Sequence, residues 1–153
     1  MGRLTGLVKR NRGKHAYDSL FLNGLEIPCE LSFSIAQNAT QFGTEVEISV
    51  CNKDGIVIPG VHTLDVYLSD TVNGVGVTAV DPFGAVTAKA ASGTVLGILT
   101  AKKAFRVTTL ATGKFTLQII DDVTPVFLYV AASIPSLGLV QVSRKTVAGD
   151  YKP

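Results

Sequence analysis

The sequence predicts an all-β protein: a single two-sheet β-sandwich, Ig-like or jelly-roll in strand order, with an extended basic N-terminal arm. Three observations predict it. Short segments alternate apolar and polar side chains, the period of a half-buried strand. No segment sustains a 3.6-residue apolar period over ten or more positions, so little helix is expected. The 15 glycines and 6 prolines among 153 residues suit many short strands joined by turns. A chain of this length holds one core, and it divides into an arm, residues 1–22, and a sandwich domain, residues 23–153.

The arm comes first. Residues 1–18 carry Arg3, Lys9, Arg10, Arg12 and Lys14 against Asp18 alone, a net +4, while the rest of the chain has nine basic and eleven acidic residues, a net −2. A basic arm on a nearly neutral body suits a nucleic-acid tail, a docking arm for an acidic protein surface, or a solvated terminus. Residues 17–25, YDSLFLNGL, are apolar enough to dock, and Asn23-Gly24 marks the turn where arm meets body.

In residues 26–37, Leu31, Phe33 and Ile35 alternate with Ser32, Ser34 and Ala36, and Pro28 places the start of this strand at an edge or bend. The clearest stretch is residues 44–70. Val46, Ile48 and Val50 alternate with Glu45, Glu47 and Ser49; Leu64, Val66 and Leu68 alternate with Asp65, Tyr67 and Ser69. Asn52-Lys53-Asp54-Gly55 tolerates positive φ, so these two strands read as a hairpin, with Pro59-Gly60 shaping the return. Residues 71–76 read as a loop, 77–80 as a short strand, and Asp81-Pro82-Phe83-Gly84 as a turn. Residues 85–90, 94–100 and 104–109 follow as small-residue or β-branched strands. Beyond the 111–114 turn, Phe115, Leu117 and Ile119 alternate with Thr116 and Gln118, and Asp121-Asp122 closes the strand. Residues 126–132, VFLYVAA, read as a strand covered on both faces, and 140–145 as the last strand.

The inventory for chemistry is poor, and no enzyme, cofactor or metal is expected. His15 lies in the arm and His62 at a strand start; His62, Asp65 and Ser69 alternate faces and make no compact triad. Glu45 and Glu47 share a face, where they keep the outside of a sheet wet. Asp121-Asp122 reads as a solvated turn rather than a cation site. Gly113-Lys114 lacks the upstream glycine of a phosphate loop, and Gly74-Val75-Gly76 lacks the third glycine of a dinucleotide turn. Cys29 and Cys51 have no metal-type spacing and read as free thiols in preference to a disulfide. The arm pairs its charges with Tyr17 and His15 but no ladder of aromatics, which argues against single-strand nucleic-acid stacking. No secretory h-region and no membrane span are expected, because the longest apolar run falls far short of the roughly 20 residues a helix needs to cross.

The segments VEISVCNKDGIVIPGVHTLDVYLSD, AKAASGTVLGILTAKKAFRVTTLATGKFTLQIIDD and FLYVAASIPSLGLVQVSRK, about residues 30–147, resemble small virion proteins of tailed bacteriophages that decorate or cement the capsid. The first half also resembles the bacterial Ig-like repeats of phage structural proteins and adhesins. The resemblance implies a virion structural protein on the outer capsid surface, made in the host cytoplasm, whose partner is the major capsid protein of a phage shell. It implies a capsid-binding arm: Arg3, Lys9, Arg10, Arg12 and Lys14 would meet acidic shell patches, while Leu4, Leu7, Tyr17 and Phe21 would supply anchors. It further implies a homo-dimer or homo-trimer, for which the apolar tract 126–139, through Phe127, Tyr129, Ile134 and Leu137, is the expected contact. The alternative is a receptor- or glycan-binding module using Tyr67, Phe83 and Tyr129.

Overall fold

The computed structural model describes residues 27–39, 42–82, 84–121 and 125–152. Nine strands run through them: β1 (Glu30–Gln37), β2 (Gly43–Cys51), β3 (Thr63–Ser69), β4 (Val86–Ala88), β5 (Thr94–Thr100), β6 (Ala104–Thr108), β7 (Lys114–Ile120), β8 (Tyr129–Ile134) and β9 (Leu139–Val142). They form two antiparallel sheets, β1-β2-β7-β4 and β5-β6-β3-β8-β9, the β-sandwich that the alternation predicts. This neighbour order follows the A-B-E-D and G-F-C-C′-C″ sheets of an immunoglobulin-type sandwich. It departs in two respects: β4, in the D position, precedes the β5–β6 hairpin in the chain, and within that hairpin the edge strand β5 comes before β6, the reverse of C′ before C″.

Alternation dictates which faces meet. On the four-stranded sheet Val46 lies opposite Leu117 and Ile48 opposite Phe115; on the other sheet Val66 lies between Phe105 and Ala132, and Leu68 opposite Val130. All of these are buried and form one core. Burying each large aliphatic or aromatic side chain stabilises the fold by about 1.5–3 kcal/mol, which is what holds the two sheets face to face. The expected strand at 126–132 is shifted: β8 begins only at Tyr129 and runs to Ile134, and Phe127 before it is exposed. Within it Val130, Ala132 and Ile134 belong to the core, and Ala131 is buried beneath the loop at Gly74.

Three local expectations are corrected. β2 and β3 are not a hairpin but lie in different sheets. The 52–55 turn forms, with Asn52 Oδ1 accepting from the Asp54 and Ile56 N–H groups and Gly55 at φ 76°. It reverses the chain only far enough to bridge Val57 to Cys51 and to let the Ile58 N–H donate to Val50 O. β7 already occupies the free edge of β2, and Pro59 has no N–H to continue a ladder, so the chain crosses to the second sheet. Residues 77–80 are not a strand, because Gly74 and Gly76 at φ 65° and 79° break the extended run and Thr78 is drawn to Asp70. Asp121 is not solvated: it is fully buried at the end of β7, where Oδ2 accepts the Val126 N–H at 2.9 Å; Asp122 lies outside the described residues.

Strand directions give the sandwich two poles. The ends of β1 at Glu30, β2 at Cys51, β3 at Thr63 and β8 at Ile134 lie at one pole, and Ile27–Cys29 lead the chain in there. Gln37, Gly43, Ser69 and Tyr129 lie at the other. No helix among the described residues is long and apolar enough to cross a membrane.

Candidate docking surface

The arm residues Arg3, Leu4, Leu7, Lys9, Arg10, Arg12, Lys14, Tyr17 and Phe21 lie outside the described residues. What can be placed is the pole where the chain enters. There Pro28, Val61, His62, Thr63, Arg106, Ile134 and the 135–137 turn line an open groove of about 480 Å³. The β3–β6 and β3–β8 pairings bring three of its walls together, and Pro28, leading into β1 of the other sheet, supplies the fourth. Ile27, Val61 and Leu137 are exposed around it.

The polar groups of the groove are held in place. Asp65 and Arg106 face each other across β3 and β6, and the guanidinium donates through Nε and Nη2 to the two carboxylate oxygens at 2.7 and 2.8 Å. That pairing raises the arginine pKa further, so its charge is permanent. His62 Nε2 lies 3.2 Å from Ile58 O, a carbonyl that only accepts, so this nitrogen carries the proton. The His62 backbone N–H donates to Thr109 Oγ1, which in turn donates to Gly60 O. The groove therefore presents the Arg106–Asp65 ion pair, whose two charges offset each other, and a set of apolar side chains, which is the chemistry of a contact surface.

The other pole carries an apolar feature that strand reasoning missed. Residues 70–80 fold onto the end of the five-stranded sheet and expose Val72, Val75, Val77 and Val80. Asp70 pins the loop: Oδ1 accepts from Thr78 Oγ1 at 2.5 Å and Oδ2 from the Ala79 N–H at 3.0 Å. These two hydrogen bonds, helped by Lys103 and Lys145, hold the Asp70 pKa below the usual carboxylate value. Thr71 Oγ1 accepts the Val75 N–H, and the Tyr67 hydroxyl donates to Gly74 O at 2.8 Å. Valines alternating with glycine and asparagine were the available signal, and alternation alone reads them as strand.

The residues expected to form a subunit contact do not form one patch. Phe127 and Tyr129 lie at one pole and Ile134 and Leu137 at the other. Ile134 is 5% exposed and spent in its own core, which corrects its place in that contact; Leu137 and Phe127 are exposed, and Tyr129 is half-buried beneath Lys145. Of the glycan candidates, Tyr67 has its hydroxyl engaged as above and Phe83 lies outside the described residues.

The charged pairs are structural. Glu45 meets Lys89 at 2.6 Å and Glu47 meets Lys114 at 2.7 Å, so the two carboxylates are neutralised by different partners. Asp65 is held by Arg106 and Ser69 is buried at the opposite pole from His62, so the three do not converge. Among the described residues no group of three or more His, Cys, Asp or Glu is arranged to hold a metal ion. Cys29 is exposed and Cys51 buried, both free; burial and the nearby Glu30 carboxylate push the Cys51 thiol pKa up.

These features define an antiparallel β-sandwich with an apolar groove flanked by an ion pair at its entry pole and a braced apolar loop at the other. No protein-family model, curated protein or solved structure matches the chain.

Proposed function

We propose that the protein is a virion structural protein that binds the outside of a phage shell through its arm and entry pole and cements the shell. One observation carries this reading: Ile27 and Pro28, the first described residues after the basic N-terminal stretch of the sequence, stand at the groove, beside exposed Val61 and Leu137. The basic sequence of the arm thus leads into an apolar pole of the body. A shell protein's acidic surface would complement the arm, and many copies on a symmetric lattice would convert weak single contacts into firm attachment. The major capsid protein is the partner this implies.

The test is binding to undecorated phage shells by the full chain and by Val61→Asp/Leu137→Asp. Both side chains are exposed, so the double variant folds normally; it should bind at least tenfold more weakly. Unchanged affinity would remove the groove from the contact.

A second reading, a receptor-recognition module, is favoured by the valine loop at the far pole. Its exposed aliphatics suit a protein receptor better than a glycan, which aromatic platforms hold. Val72→Asp/Val75→Asp would abolish receptor binding under that reading and leave shell binding intact under the first.

A further inference from the structure

Each sheet edge carries unpaired backbone N–H and C=O groups that can template another strand. Three of the four edges here are blunted. β1 and β9 lie beside each other, and the Leu31 N–H donates to the Gln141 side-chain oxygen across the gap. β4 has only three residues and offers little ladder. β5 has seven residues, with no charged residue and no proline among them.

β5 is also apolar where it meets water. Leu96, Ile98 and Leu99 are 57%, 67% and 55% exposed. Ile98 pairs with the buried Phe105 and is still exposed, so this end of β5 extends past the core. The register against β6 shifts at Leu96 and again at Leu99. Such bulges often turn an edge away from partners, but here they aim leucines at solvent. Arg106, opposite Gly97 on β6, is paired with Asp65, and Lys102 and Lys103 in the following turn are engaged with Pro82 O, Ala79 O and Asp81.

The order of residues in β5 points to the occupant. Thr94-Val95-Leu96-Gly97-Ile98-Leu99-Thr100 has the same chemical classes read in either direction. A two-fold contact sets the strand against its own reverse, and this order then puts like classes opposite one another. Set antiparallel about Gly97, two copies place Thr94 against Thr100, Val95 against Leu99 and Leu96 against Ile98, with no like charges opposed. Gly97 meets its own copy, and the space where its Cβ would stand is open.

We propose that the chain forms an isologous dimer in which the β5 edges of two copies lie antiparallel across a two-fold axis at Gly97, joining their five-stranded sheets into one. This contact is independent of shell binding. A strand of seven residues spans about 23 Å, and one strand pair is smaller than the roughly 800 Å² per partner of a standard interface, so dissociation in the micromolar range is expected.

Sedimentation velocity of the full chain at high micromolar concentration should report twice the 16.1 kDa monomer mass. Leu96→Lys/Ile98→Lys sets lysine against lysine twice across the axis and should give a monomer with unchanged melting temperature. As a second measure, in a Cys29→Ser background, Gly97→Cys should form an intermolecular disulfide under mild oxidation, since directly opposed strand residues lie about 4.5–5.5 Å apart at Cα. Val140→Cys, exposed on β9, should not. A monomer at that concentration, a mass above the dimer, a dimer indifferent to the lysines, or equal cross-linking at the two positions would overturn the proposal.

Discussion

Asp150 is the residue whose replacement the structure prices most directly. It is buried near the C-terminal end of the described chain, where its carboxylate accepts from Arg144 Nη1 at 2.7 Å, Arg144 Nη2 at 2.6 Å and the Val147 N–H at 2.8 Å. Those bonds position Tyr151, whose hydroxyl donates to Val126 O at 2.8 Å and whose ring packs edge-on against Phe127. Asp150→Asn keeps one acceptor and turns an NH₂ toward the guanidinium. A charge-assisted bond contributes about 1.5–3 kcal/mol, but the Arg144 side chain is 55% exposed and screened by water. A net loss of about 1–2 kcal/mol remains, or about 2–8 °C in melting temperature for a chain of this size. The pH dependence follows from the same bonds. The Arg144 pair, assisted by the Val147 N–H, lowers the Asp150 pKa in the fold, so the unfolded chain binds its proton first as pH falls. The stabilisation is therefore fully present above the ordinary aspartate value of about 4 and lost as pH drops through the lower folded value. Urea melts of both proteins from neutral pH down to pH ~3 should show a gap that narrows below pH ~4. Equal stability at neutral pH, or a gap that stays constant into acid, would refute this.

Other consequences follow from particular residues. Asp70→Asn should leave the global melt nearly unchanged but speed hydrogen exchange at the Ala79 amide, because it loosens only the valine loop; unchanged exchange would mean the loop is held elsewhere. Gly113 has φ 78° and a Cβ there would overlap Ile58 O, whereas Gly55 has φ 76° with open space around it. Gly55→Ala should therefore cost about 1 kcal/mol and Gly113→Ala several times that in denaturant melts; equal costs would contradict the packing at Ile58. A thiol reagent on the native protein should label Cys29 quickly and Cys51 only at the rate of opening, and comparable rates would show that β2 does not shield Cys51.

The sheets were legible in the sequence because alternation is a local property: Val46-Ile48-Val50, Leu64-Val66-Leu68 and Phe115-Leu117-Ile119 each announce a buried face without reference to any other strand. Pairing is not local. The Asn52–Gly55 turn looks like a hairpin turn and adopts positive φ, yet the edge of β2 is taken by β7, more than sixty residues later. The same limit hides the groove, whose walls at Pro28, His62, Arg106 and Leu137 meet only through long-range pairing. It also hides Asp121, whose polarity suggested solvent until the Val126 N–H gave it a buried partner. The valine loop misled for the opposite reason, since two glycines with positive φ undo what the apolar pattern suggests.

The central claim is that arm and entry pole attach this sandwich to a phage shell. The most direct test is co-sedimentation with undecorated shells of the full chain and of a form lacking residues 2–18, followed by a heat or shear challenge. The account predicts saturable binding that raises shell resistance and disappears when the arm is removed, while the shortened chain stays folded. Full affinity without the arm, or no binding by the intact folded chain, would contradict it.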